Sequence, residues 1–142
     1  MDLALSHALK AYHAGEVPVG AVIVHENKVI ATGKNTKETF KDPTGHAEVN
    51  AIRTAAKELN DWRLTQCTLY VTLEPCIMCA GAILAARIPK VVFGAWDEKA
   101  GAAGSQFDLL RERRLNHQVE VVSGIQEKEC KELLDRFFKE SR

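Results

Sequence analysis

No run of apolar residues in this sequence approaches the roughly 20 that a bilayer-spanning helix needs, so a helical membrane span is excluded. The opening residues, MDLALSHALKAYHAGE, lack a positively charged segment followed by an apolar stretch. No secretory signal is read there, and the expected compartment is the cytoplasm. Internal repeats, low-complexity tracts and linker-like runs are also missing, so residues 1–142 are expected to form a single domain. Neither sign of charge is in excess: 19 basic and 19 acidic residues leave a formal net charge of +0. A protein that coats phosphate backbones indiscriminately is usually basic, so any nucleic-acid contact must come from local patches. Cysteine is scarce, and 4 thiols in a chain expected in the cytoplasm read as metal ligands or small buried residues rather than disulfides.

What is present is the balance of a globular protein, 46% hydrophobic and 27% charged. Leu5, Ala8, Leu9 and Tyr12 recur at helical spacing and predict a helix over 2–14, ended by Gly15. Val19–Val24 and Lys28–Thr32 read as two strands joined by a turn at His25-Glu26-Asn27. Residues 33–43 read as a loop, and Asp42-Pro43-Thr44 as a helix start, with Thr44 as the cap. Ile52, Ala55, Ala56 and Leu59 stripe the helix that follows. Cys67–Leu73 reads as a strand, and Pro75 as the opening of a helix to about Ala86 that is apolar nearly all round and so expected to be buried. Val91–Phe93 and Val119–Val122 read as parallel strands linked by a helical crossover near Gln106–Arg111. Cys130, Leu133, Leu134, Phe137 and Phe138 form the apolar face of a last helix. The order αββαβαβαβα predicts an α/β fold, a mixed sheet with helices on both faces.

The chemistry is concentrated in His46-Ala47-Glu48 and Pro75-Cys76-Ile77-Met78-Cys79. One imidazole and two potential thiolates are good zinc ligands, and Cys76 and Cys79 lie one turn apart at a helix start. His46 lies at the start of the other helix, so two helix N-termini, each with a positive dipole end and free N–H groups, converge on one point. Three protein ligands leave a fourth tetrahedral position open, which is the arrangement of catalytic rather than structural zinc. Zinc brings the pKa of bound water from 15.7 to about 7, and Glu48, not needed as a ligand, is placed to collect that proton and deliver it onward. His-x-Glu followed by Pro-Cys-x-x-Cys is the signature of the zinc-dependent nucleobase deaminases. Cys67 and Cys130 sit at apolar positions and read as inert core residues.

Beyond the metal motif, Glu16–Ala21, Asp42-Pro43-Thr44, Tyr70–Cys76, Ala80-Gly81-Ala82, Gly101–Ser105 and Leu115-Asn116-His117 resemble the bacterial tRNA-specific adenosine deaminases, in matching order almost from end to end. The resemblance implies a cytidine-deaminase-like three-layer α/β/α sandwich with a mixed five-stranded sheet, assembled as a homodimer. It implies hydrolysis of adenosine to inosine at the wobble position of a tRNA anticodon loop. His46, Cys76 and Cys79 match the ligands of one zinc ion per subunit, and Glu48 matches the proton shuttle. Asn35 matches a base-contacting asparagine and the Ala47 backbone N–H a group directed at the base. Asp97, Asn116 and His117 match positions that hold flanking nucleotides, and Phe138 a C-terminal aromatic near the loop-binding groove. Gly45 stands where alanine is expected, at a cost of up to about 1 kcal/mol if it lies in the helix. Trp96 stands where a polar or charged residue is usual.

Basic residues cluster at Lys34, Lys37 and Lys41 and again at Arg111, Arg113 and Arg114, and either cluster is a candidate RNA contact or a solvated face. Two rival functions share the metal motif. A deaminase of a free base or nucleoside, such as guanine or cytosine, would have the same chemistry and different substrates. A non-catalytic zinc-stabilised module would need a fourth protein ligand, for which Cys67 and His117 are the candidates.

Overall fold

The computed structural model describes residues 1–141. It is a five-stranded sheet with helices on both faces: α1 (Asp2–His13), β1 (Gly20–His25), β2 (Lys28–Lys34), α2 (Ala47–Leu59), β3 (Cys67–Leu73), α3 (Ile77–Ala85), β4 (Lys90–Ala95), β5 (Glu120–Val122) and α4 (Glu127–Glu140). The strand order is β2-β1-β3-β4-β5. β1 runs antiparallel to β2 and β3, whereas β3, β4 and β5 are parallel, so the sheet is mixed as expected. The β1–β2 turn places Glu26 and Asn27 at φ of 50° and 62°, the geometry of the two-residue hairpin whose twist matches its strands.

Alternation along the strands assigns the layers. Gly20 backs onto Ala4 and Ala8 of α1, and Gly94 onto Cys130 of α4, so these helices share one face. Gly33 backs onto Ala47 and Ala51 of α2 on the other face, which α3 also covers. A Cβ on Gly33 would overlap the Ala47 carbonyl oxygen and lie 2.8 Å from the Ala51 nitrogen, so α2 approaches closer than any side chain allows. The helices answer with alanine: Ala4, Ala8 and Ala11 in α1, and Ala47, Ala51 and Ala55 in α2, all fully buried. Leu69, Val71, Val91, Phe93, Ile83 and Ile88 fill the core between the sheet and the α2–α3 layer.

Four local expectations are corrected. The 2–14 helix buries its alanine stripe, leaving Leu9 exposed. The crossover at Gln106–Arg111 is no helix but a single 3-10 turn, Leu109–Arg111, although β4 and β5 are parallel as expected. α3 is not buried all round: Cys79, Ala80 and Ile83 face the core while Ile77, Gly81 and Ala85 face outward. Thr44 caps no helix; it donates its N–H and O–H to Asp42 Oδ1 at 2.9 and 2.8 Å, closing a turn before α2 begins. Gly45 therefore precedes the helix and exacts no helical penalty. It packs tightly instead, since a Cβ there would lie 2.9 Å from Thr36 Oγ1.

Candidate metal centre and substrate pocket

His46 is the N-cap of α2 and Cys76 the N-cap of α3, with extended backbone at φ −90°, ψ 150° and φ −78°, ψ 178°. Each side chain thus emerges ahead of the first turn, where helix amides and dipoles favour anionic ligands. Cys79 follows within the first turn of α3. His46 Nδ1 lies 3.6 Å from Cys76 Sγ and 3.4 Å from Cys79 Sγ, and the three ligand atoms fall within 4.8 Å of one another. A tetrahedral zinc with bonds of about 2.3 Å to sulfur and 2.0–2.1 Å to nitrogen separates such ligands by about 3.6 Å. Donor types and spacing both fit zinc. Cys76 is pulled down to about 4, first by a hydrogen bond from Cys79, and that same bond pushes the Cys79 thiol up. Both sulfurs face His46 Nδ1, the arrangement that would hold a metal ion. Cys67 lies in the apolar core, and neither it nor His117 joins the cluster, so the scaffold reading finds no fourth ligand among the described residues.

Glu48, in the first turn of α2, is 4% exposed. Burial above all pushes its carboxyl up to about 7. It lines a pocket of about 470 Å³ together with His46, Cys76, Asn35, Asp97 and Phe138. That size suits a small-molecule-scale group such as one nucleobase.

The second-tier residues divide. Asn35 is at the pocket, but its Oδ1 accepts the Ala47 N–H at 2.8 Å and its Nδ2 donates to the Val17 carbonyl at 3.1 Å. The two groups expected to face a base are thus partners of each other, which leaves the second Nδ2 hydrogen for a ligand. Asp97 lines the pocket while its Oδ1 accepts the N–H groups of Lys99 and Ala100 at 3.2 and 3.1 Å. Phe138 is not core: it is 51% exposed and walls the pocket. Asn116 and His117 stand elsewhere. The His117 ring bonds the Ile88 carbonyl at 2.8 Å, at the start of β4, whereas the pocket lies beyond its end. Six strand residues separate the two by about 20 Å. Trp96 is half-exposed, packs edge-on against Phe93 at 4.9 Å, and lines a groove of about 800 Å³ that adjoins the pocket at Asp97 and Phe138.

Two buried carboxylates escaped the sequence reading. Glu74, 2% exposed, accepts the N–H groups of Asp97, Ala103 and Ser105, each at 3.0 Å, and the Ser105 hydroxyl. A Cβ on Gly101 would overlap this carboxylate, so glycine there is a packing requirement. Glu16 accepts the N–H groups of Glu38 and Thr39 at 3.1 and 2.6 Å and the Thr39 hydroxyl at 2.6 Å. Each clamps one loop of the pocket rim. The available signal was an acidic residue inside an apolar stretch with no cation nearby in sequence.

The chain matches the MafB19-like deaminase family over residues 1–142. It is 51% identical to a tRNA-specific adenosine deaminase of Bacillus subtilis (strain 168), over all of this chain and 88% of the relative. It superposes at a TM-score of 0.91 and 44% identity, covering 94% of this chain and 97% of the other, on a structure solved in a study of A-to-I editing by tRNA:A34 deaminases at the wobble position of transfer RNA. A guanine deaminase structure from Bacillus subtilis is also 44% identical, but with a TM-score of 0.66 over 73% of this chain and 67% of that one.

Proposed function

Because this chain belongs to the tRNA-specific adenosine deaminase family, we propose that it hydrolyses adenosine to inosine at the wobble position of a tRNA anticodon loop. On this reading residues 1–142 act as a single domain in the cytoplasm, with one zinc ion per subunit held by His46, Cys76 and Cys79. The observation that carries the reading is the buried Glu48 carboxyl on the wall of a base-sized pocket, beside the three-ligand cluster.

Zinc bound there supplies Lewis acidity and lowers the pKa of water from 15.7 to about 7. The rest falls to the chain. Hydrolysis adds water at the ring carbon bearing the amino group and releases ammonia, so both protons of the water must move. Glu48 takes the first from the attacking water and passes it to the adjacent ring nitrogen. It takes the second from the new hydroxyl and passes it to the amino nitrogen, which departs as ammonia. The carboxylate ends as it began, and a carboxyl near 7 is matched to giving and taking protons at neutral pH. Asn35, held by Val17 and Ala47, turns its remaining amide hydrogen to the base, and Phe138 and Asp97 bound the pocket toward the neighbouring nucleotides. A loop base is already unstacked, so seating it costs little.

A homodimer completes the proposal. The outward face of α3, with Ile77, Gly81 and Ala85, is where a second copy would pack. Asn116 and His117, distant from the pocket of their own chain, would then reach RNA from an adjoining subunit or along the stem. The likeness to guanine deaminase supports a second reading, deamination of a free base. The superposition favours the first, since it is poorer and shorter on that enzyme at equal identity.

The test incubates purified protein with an anticodon stem-loop bearing adenosine at the wobble position, beside free adenosine, free guanine and a matching DNA hairpin, measuring inosine, ammonia and zinc. Inosine in the RNA alone is expected. Turnover of a free base would move the protein to the second reading, and no turnover at full zinc loading would end both.

A further inference from the structure

On the far side of the 35–45 loop from the metal centre lies a cleft of about 670 Å³ with no part in the chemistry above. It wraps the free edge of β2, with His7 and Lys10 of α1 on one side, Arg53 of α2 on the other, and Lys34 from the strand itself. Lys10, Lys34 and Arg53 enter no ion pair among the described residues. The cleft holds one carboxylate, Asp42, which accepts two bonds from Thr44 and lies within the field of Arg53, so one negative charge stands against three cations. Burial, then Lys10 and Lys34, hold the His7 imidazole below its ordinary pKa, as expected where positive charge is in excess.

The contrast with the other basic cluster is informative. Arg111 is paired with Asp108 at 2.9 Å and Arg114 with Glu112, so two of those three arginines are neutralised. In a chain of net charge +0, unpaired cations converging on one concavity are an uneven distribution. Beside them Phe40 is 72% exposed. Cations with a solvent-facing aromatic ring are the composition of a nucleic-acid groove, phosphates on the charges and a base on the ring. The cleft also adjoins the chemistry: Thr36 and Phe40 line it, while Asn35, Lys37 and Glu38 of the same loop line the catalytic pocket.

We propose that this cleft docks the phosphodiester backbone of the substrate RNA as the strand leaves the catalytic pocket, with Lys10, Lys34 and Arg53 on phosphates and Phe40 against a base. The inference rests on the reading of the substrate as RNA. The competing role is a guard on an edge strand, where lysines commonly block pairing with other chains.

The triple variant Lys10→Ala/Lys34→Ala/Arg53→Ala is compared with wild type on the wobble-adenosine stem-loop, with zinc content and circular dichroism confirming an intact fold. Each phosphate contact contributes about 0.7–0.9 to the slope of log affinity against log salt, or roughly tenfold in affinity at 0.1 M salt. The variant should therefore lose about 2–3 units of slope and bind at least about a hundredfold more weakly, with kcat at saturating RNA unchanged. Phe40→Ala should weaken binding about fivefold or more. Lys128→Ala, an exposed change on α4 outside the cleft, should leave the slope unaltered. Equal affinity and slope in the triple variant overturn the docking site and leave the edge-guard role. Wild type that binds the stem-loop without forming inosine removes the deaminase reading and spares the docking site, and inosine formation with undiminished binding by the variant does the reverse.

Discussion

Glu48 sits where burial and chemistry act on the same proton. Its carboxyl is pushed up to about 7, so ionising it at neutral pH works against the fold, while its position beside the ligand cluster is what proton transfer requires. Glu48→Gln should therefore keep zinc and lower turnover by about 10²–10⁴-fold or more, with Tm unchanged or a few degrees higher. Product formation, bound zinc and thermal melting on one preparation decide it, and retained turnover would refute the assigned shuttle. Cys76→Ala, by contrast, removes one of the three proposed ligands and should lose the metal as well as the activity. Zinc stoichiometry distinguishes the two variants.

At the scale of elements, the site depends on how closely α2 lies on β2 and on how its rim loops are tied. Gly33→Ala drives a methyl into the Ala47 carbonyl and must lift the helix whose cap is His46. The expected result is a loss of about 1–3 kcal/mol in stability together with weaker zinc retention, read from denaturant melts and chelator competition. The 36–42 loop is tied by Glu16. Burial alone would raise the Glu16 carboxyl, but the hydrogen bonds from Thr39 and Glu38 outweigh it and hold the group below its ordinary range. A depressed carboxyl stabilises the fold above its unfolded pKa, about 4.3, and that contribution disappears as pH falls through the folded value. The Tm gap between wild type and Glu16→Gln should be widest above about pH 5 and should close as the solution is acidified below 4. A gap independent of pH would show that the carboxylate charge has no part in holding the loop.

For the whole molecule, the outward side of α3 leaves Ile77, Gly81 and Ala85 exposed beside the His46, Cys76 and Cys79 cluster. In the proposed homodimer this face is covered, so Ile77→Glu combined with Gly81→Arg should convert dimer to monomer in sedimentation velocity, and a wild-type monomer at micromolar concentration would end the dimer. Much of this architecture was legible from local pattern. Helix and strand periods, the hairpin turn read at His25-Glu26-Asn27, the parallel β4–β5 pair and the His46, Glu48, Cys76, Cys79 set depend on residue type and short spacing, which a linear chain displays openly. The misreadings share a cause. Thr44 looked like a cap because a hydroxyl before a helix usually is one, yet Asp42 sits close enough to claim it. α3 looked buried because its composition is apolar all round, and composition does not say which face meets a sheet. The bond between Asn35 Oδ1 and the Ala47 N–H, 2.8 Å long, was not legible either, because it joins two residues twelve apart and leaves only the second Nδ2 hydrogen of Asn35 for a ligand. Ligand identity is a property of side chains and their spacing along the chain, so the sequence by itself determined the His46, Cys76 and Cys79 cluster to which the proposed zinc is assigned. The clamps of Glu16 and Glu74, the pairing of Asn35 with Ala47 and the gathering of His7, Lys10, Lys34 and Arg53 join residues distant in sequence, so only the tertiary structure could decide them. Hydrogen bonds and Coulomb fields depend on distance in space, which sequence separation does not report.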